Sequence, residues 1–233
     1  MGKVNKSKGN MYPWVTHTWE PFKPYRCLHR CSYCYAVKMR ERFGTKLTDI
    51  PELDEPFPDL GSGRTIFVGH MSDIWACNIR DRALHKILYY CEDFNNHYVF
   101  QSKNPGMFLS FVNPLLGYEQ DRFTFGTTIE TNREYPISRA PAPCYRLRFI
   151  TAMKKRGYET FITIEPVLDF DLSRFIEMLK DAQPSFINIG ADSKKSNLPE
   201  PSAEKIASLI RGIQELGIEL RVKSNLDRLL GGE

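Results

Sequence analysis

Three cysteines, Cys27, Cys31 and Cys34, stand in the spacing C-x3-C-x2-C within the run WEPFKPYRCLHRCSYCYA, residues 19–36. Thiolates this close in sequence can converge on one soft metal centre, because a tight loop brings their sulfurs together. Cubane iron–sulfur clusters normally take four cysteine thiolates, so three would leave one iron open for a substrate or cofactor. Zinc is the competing reading, with Cys27, His29, Cys31 and Cys34 as four ligands. Structural zinc sites, however, pair two short knuckles across a longer gap, and four ligands within eight positions are cramped. A disulfide is the third reading, and it needs an oxidising compartment.

The elements that must hold this loop follow from the pattern along the chain. A β-prone run, Val15 to Trp19, precedes the cysteines, and a helical one, Ala36 to Phe43, follows. Residues 45–63 are rich in Pro, Asp, Glu and Gly and read as a surface excursion. From Arg64 onwards β-prone and helical stretches alternate. The strands expected are Thr65–Gly69, Tyr98–Ser102, Phe123–Thr128, Thr160–Glu165, Phe186–Gly190 and Glu219–Lys223. Helices are expected near Arg80–Asp93, Pro105–Leu116, Pro143–Arg156, Asp171–Asp181 and Ser202–Leu216, with Gly157 and Gly217 where helices should stop. Alternation with short connections implies parallel strands and right-handed crossovers. The expected fold class is α/β: a partial or nearly closed TIM-like (βα) barrel of about six to seven parallel strands, with a doubly wound sheet as the alternative.

Composition sets the bounds. The 233 residues suit one sizeable domain, expected over residues 13–233, behind a flexible basic tail at 1–12. Hydrophobic residues make up 42% and charged ones 26%, enough for a large core. There is no apolar run of about 18 residues and no secretory h-region, so no membrane partner and a reducing cytoplasmic setting are expected. Cys77, Cys91 and Cys144 lie far from the motif and from each other, which suggests a single centre; Cys91 reads as a core residue. A net charge of +4 tolerates an anionic substrate without establishing nucleic-acid binding.

In a (βα) barrel the chemistry sits on the loops at the carboxyl ends of the strands. Polar residues do collect there: Glu20 after the first expected strand, His70, Ser72 and Asp73 after the second, and Lys103 after the third. Thr128 and Glu130 follow in the fourth, Glu165 in the fifth, Asp192 in the sixth, and Lys223 and Asn225 in the seventh. Trp14, Trp19 and Trp75 read as packing residues.

The motif resembles the cluster-binding signature of the radical S-adenosylmethionine (SAM) superfamily. The string CLHRCSYCY is most similar to the spore photoproduct lyase branch and a related group of phage and bacterial proteins that have no activity to lend. That resemblance implies a barrel core and a 4Fe–4S cluster on Cys27, Cys31 and Cys34, whose open iron chelates S-adenosyl-L-methionine. It also implies an electron donor such as flavodoxin or ferredoxin, and hydrogen abstraction from a substrate by a 5′-deoxyadenosyl radical. Tyr33 would pack by the adenine, Ser72 and Asp73 accept from the ammonium, Lys103 meet the carboxylate, and Thr128 and Glu130 hold the ribose. His70, Glu165, Asp192, Lys223 and Asn225 are substrate-side candidates, and a nucleobase or nucleotide is the preferred class over other small metabolites.

The resemblance has a gap. The lyase places a hydrogen-donating cysteine two residues before the Ser of Ser-Asp; here that residue is His70, and Cys77 lies elsewhere on the loop. The lyase's long N-terminal segment and added DNA-binding hairpin also find little room, so photoproduct repair itself is not expected. A zinc-binding nucleic-acid module without catalysis is the alternative function, and a degenerate fold kept for binding is a third.

Overall fold

Seven parallel strands and one antiparallel strand make a single open sheet in the structure, a computed structural model that describes residues 3–111, 120–194 and 196–231. The strands are β1 (Val4–Lys6), β2 (His17–Trp19), β3 (Thr65–Val68), β4 (His97–Gln101), β5 (Phe123–Thr128), β6 (Glu159–Ile164), β7 (Phe186–Ile189) and β8 (Glu219–Val222). They lie in sequence order, β1 antiparallel to β2 and every later pair parallel. The helices are α1 (Tyr35–Arg42), α2 (Asp81–Glu92), α3 (Gly106–Phe111), α4 (Pro143–Lys155), α5 (Leu172–Ala182), α6 (Ala203–Glu215) and α7 (Asp227–Leu230). This is the expected partial barrel. The expected helix over 105–116 is seen as α3, and its last residues, 112–116, lie outside the described residues.

Residue type explains the layers. On β3, β4, β6 and β7 one set of alternate residues (Ile66 and Val68, Tyr98 and Phe100, Ile162 and Ile164, Ile187 and Ile189) packs with the apolar faces of the helices. On α2 those are Leu84, Ile87, Leu88 and Cys91, spaced for one helical face. The other set, Phe67, Val99, Phe161 and Phe186, turns to the concave side and forms a smaller core. Gly126 leaves room on β5 for the Phe161 ring: a Cβ there would sit 2.2 Å from it.

The concave core is completed by a segment the sequence assigns otherwise. Residues 1–12 are expected to be a flexible tail, yet Val4–Lys6 pairs along β2, and the chain then crosses the concave face. Tyr12 and Val15 are buried there, with Met11 and Trp14 packed against them. The Tyr12 ring stacks on Trp14 at 5.5 Å, and Arg221 of β8 lies over Trp14. Apolar burial overrides the polar composition of the first ten residues, since each such side chain contributes about 1.5–3 kcal/mol.

No helix among the described residues is long and apolar enough to cross a membrane.

Candidate active site at the carboxyl ends of the strands

The cysteine loop joins β2 to α1 and is fastened from three sides. The His29 carbonyl accepts from Arg139 N at 2.6 Å, and Ser32 N donates to the Ile137 carbonyl at 2.9 Å. His29 Nε2 donates to Asp73 Oδ2 at 2.8 Å. Beneath, Tyr25 Oη donates to the Asp73 carbonyl at 2.9 Å, and the buried Arg40 of α1 donates to the Tyr25 carbonyl.

Cys27, Cys31 and Cys34 are all free thiols and partly buried. Burial, with Asp73 nearby, pushes the Cys27 thiol up to about 12. Burial also raises Cys31, against the pull of the Lys103 ammonium. Cys31 feels both Cys34 and Glu130, so the loop faces the ends of β4 and β5. Among the described residues no three His, Cys, Asp or Glu side chains are grouped to hold a metal ion. The donor set nonetheless fits an iron–sulfur cubane, whose irons sit at separate corners and take one thiolate each. For zinc, the fourth expected ligand, His29, could offer only Nδ1, because its Nε2 is given to Asp73.

Tyr33, Lys103 and Glu130 do come together. Lys103 Nζ lies 2.5 Å from Glu130 Oε1 and 2.6 Å from Tyr33 Oη, and Tyr33 Oη donates to the same carboxylate oxygen. Arg146, from α4, holds the other oxygen at 2.9 Å. Burial alone would raise the Glu130 carboxyl, but the two cations outweigh it and hold the group well below the usual carboxylate range. Thr128, two residues earlier at the end of β5, accepts from Gln101 Nε2 at 2.9 Å. Gln101 in turn accepts from Tyr12, which also meets Thr163 at 2.7 Å.

Asp73 is placed differently from its expected role as an ammonium acceptor. Its carboxylate already receives Trp75 N, Lys103 N, the Ser102 hydroxyl and His29. Burial works to raise it, yet His29 and these donors bring it below its ordinary value. Such a carboxylate ties the cysteine loop to β3 and β4. The open acceptor is its neighbour: Ser72 Oγ donates to Glu20 Oε1, and Met71 N donates to Glu20 Oε2 at 2.8 Å. Among the described residues no cation pairs with Glu20, and burial pushes its carboxyl up to about 7.

Three of the substrate-side candidates meet across the mouth. Glu165 Oε2 accepts from Lys223 Nζ at 2.8 Å, and Glu165 Oε1 from Asn225 Nδ2 at 2.8 Å. Asn10 joins them, donating to Glu165 Oε1 and to Ser193 Oγ while its carbonyl accepts from Lys223. Gly190 permits the approach, since a Cβ there would lie 2.8 Å from Asn225 Oδ1 and 2.9 Å from Glu165 Oε1. Asp192 stands apart: its carboxylate accepts from Lys194 N and Ser196 N and shapes its own loop. His70 offers its carbonyl to Tyr35, and its buried Nδ1 has no hydrogen-bond partner among the described residues. Burial, with Arg40, lowers the imidazole to about 4, so it is neutral near pH 7.

Two of these residues escape a sequence reading. Glu20 is seen there by position, just after β2, but without a role. Arg146 gives no signal, being one more arginine in a helix, and Asn10 falls in the expected tail.

No family model matches this sequence, and no curated protein sequence does. Solved structures match in shape. A spore photoproduct lyase variant with bound AdoMet and dinucleoside spore photoproduct superposes with a TM-score of 0.60, at 14% identity, over 92% of this chain and 78% of that one. Two further spore photoproduct lyase variants give TM-scores of 0.59 and 0.61, at 12% identity, over 94% of this chain and 78% of each. At that identity the likeness is one of fold.

Proposed function

We propose that this chain is a radical SAM enzyme. It would hold a 4Fe–4S cluster on Cys27, Cys31 and Cys34 and bind S-adenosyl-L-methionine between the cysteine loop and the ends of β3 to β5. The observation that carries the reading is the buried Tyr33–Lys103–Glu130–Arg146 cluster beside three free thiols, at the end of the barrel where such folds do their chemistry. The resemblance of the motif and the likeness in fold support it.

A cluster held by Cys27, Cys31 and Cys34 would supply one electron for reductive cleavage of the SAM sulfonium. The protein's own residues bind and orient. Lys103 is a compact cation for the SAM carboxylate. Lys103 rests on Glu130, which Arg146 also pairs, so Lys103 can turn to a ligand without leaving Glu130 unpaired. Ser72, with Glu20 behind it, receives the ammonium in place of the saturated Asp73. Tyr33 flanks the adenine, and Thr128 and Glu130 meet the ribose. Across the mouth, Glu165, Lys223 and Asn225 present an acceptor, a cation and an amide, a set that suits the donor and acceptor edges of a nucleobase or nucleotide. Neutral His70, with its free Nδ1, adds a hydrogen-bonding group between the two halves.

The test is anaerobic reconstitution with iron and sulfide, followed by dithionite and SAM and an assay of 5′-deoxyadenosine by mass spectrometry. A brown protein that makes it, with a Cys31→Ala variant that does not, is the expected result. A colourless protein that retains zinc and leaves SAM intact overturns the reading.

A further inference from the structure

The barrel has a second polar end. Thr65, His97, Glu159 and Phe186 are the first residues of β3, β4, β6 and β7, so they ring the amino ends of the strands, away from the cysteine loop. With Trp14 of the crossing segment and Arg221 of β8 they line a cavity of about 270 Å³. Pockets for drug-sized ligands run to roughly 300–1,000 Å³, so this one suits a metabolite of amino-acid size.

Its charges are fixed in place and only partly used. Glu159 Oε2 accepts from the Thr124 hydroxyl, whose oxygen lies 2.6 Å from His97 Nε2, so a chain of contacts across β4, β5 and β6 orients the carboxylate. Among the described residues Glu159 makes no further hydrogen bond and no ion pair. Burial lowers the His97 imidazole from its ordinary value, against the pull of Glu159, and leaves it uncharged at neutral pH. Arg221 is the cation of the lining. Its guanidinium carbon sits 3.6 Å from the centre of the Phe186 ring and 5.3 Å from that of Trp14. Its Nε donates to Glu219 Oε1 at 2.7 Å, while its terminal nitrogens make no hydrogen bond among the described residues. The Arg221 and Glu219 side chains are 32% and 60% exposed, and a pair so open to water holds weakly.

We propose that this cavity binds a free α-amino acid with an apolar or aromatic side chain, its carboxylate on Arg221 and its ammonium on Glu159. The two residues line one cavity without meeting, and β7 stands between their strands. A simple anion entering there meets Glu159 and Glu219, and a simple cation meets Arg221. A small zwitterion satisfies both walls at once. A guanidinium takes both oxygens of a carboxylate side-on. Trp14 and Phe186 supply apolar surface for the side chain. No bond is made or broken, and the site does not depend on what the cysteines hold.

The experiment is isothermal titration of the purified protein with L-leucine, L-methionine and L-phenylalanine, each up to about 10 mM. Saturable binding of at least one of them is expected. The matching des-amino acid and the matching decarboxylated amine should each bind wild type about tenfold or more weakly, since each lacks one charged contact. Arg221→Gln and Glu159→Gln should show the same loss, with thermal melts to establish that each variant folds. Should either variant not fold, the comparison of the three ligands on wild type decides. Binding of none of the amino acids overturns the proposal, as does an acid or amine that binds as tightly as its parent. Binding that survives both substitutions overturns it too. Binding that is lost in Lys103→Met but kept in Arg221→Gln assigns the amino acid to the opposite mouth, and the site falls.

Discussion

His29 Nε2 stands 2.8 Å from Asp73 Oδ2, so the histidine between the first two cysteines fastens their loop to the end of β3. The pair is nearly closed to water, with side-chain exposures of 6% and 12%. Asp73→Ala leaves His29, Ser102 and Lys103 N without their acceptor and should destabilise the fold by about 3–5 kcal/mol. His29→Ala should cost less, and a double-mutant cycle read by urea unfolding should return a coupling of about 1–3 kcal/mol. Additive effects would mean that the loop is held by its backbone contacts alone.

Glu130 sets a second expectation. Its carboxyl is held below the ordinary range in the fold, so it contributes stability above pH about 4.5, the value of a free glutamate, and that contribution is lost as pH falls. Glu130→Gln should flatten the acid limb of the stability curve and lower stability at pH 7 by a few kcal/mol, since Lys103 and Arg146 lose their counter-charge. Lys103→Met should weaken SAM binding about tenfold or more while leaving the melting temperature nearly intact, because Arg146 still pairs with Glu130. A melting temperature that collapses with Lys103→Met would assign that lysine to the scaffold.

Glu20 behaves in the opposite sense. Burial raises its carboxyl to about 7 from 4.5, so the folded chain binds this proton more tightly than the unfolded one. Stability is therefore greatest below about pH 4.5 for this group and declines as pH rises to 7. Glu20→Gln should remove that decline, gaining melting temperature over wild type at pH 8 and little at pH 5. Because an ammonium favours the ionised acid, SAM should bind wild type more tightly as pH rises through 7, and Glu20→Gln should lose that dependence. Isothermal titration at two pH values checks both.

Gly126 is predicted to tolerate no side chain. A methyl there meets the Phe161 ring, which is wedged between Tyr12, Trp14 and Phe186. Gly126→Ala should cost about 1–3 kcal/mol by overpacking, and Phe161→Leu in the same chain should recover part of it. Thermal melts of the single and double variants decide the matter.

The strands and most helices were legible because their apolar residues repeat with the right period, and Gly157 and Gly217, both at positive φ, stop helices where expected. Cys27, Cys31 and Cys34 were legible by spacing, and Lys103 and Glu130 by position after strands. What pairs with what was not. Asp73 and Glu20 are both acids at strand ends, and only their distances show Asp73 meeting His29 and three further donors while Glu20 meets Ser72 and Met71. Arg146 reaches Glu130 from the far layer, a contact no local pattern encodes. The opening residues misled because their polarity says tail, whereas the aromatic run Tyr12–Trp14 behind them has an apolar hollow to fill.

That filling ties the two ends of the chain to one moment in its assembly. Tyr12 cannot find Thr163, nor Asn10 find Lys223, until residues more than 150 positions later have emerged. The segment ahead of the barrel is thus among the last to settle. A ribosome-bound chain lacking β8 should leave Trp14 without Arg221 above it, and the mouth should take its final form only once synthesis has passed Asn225.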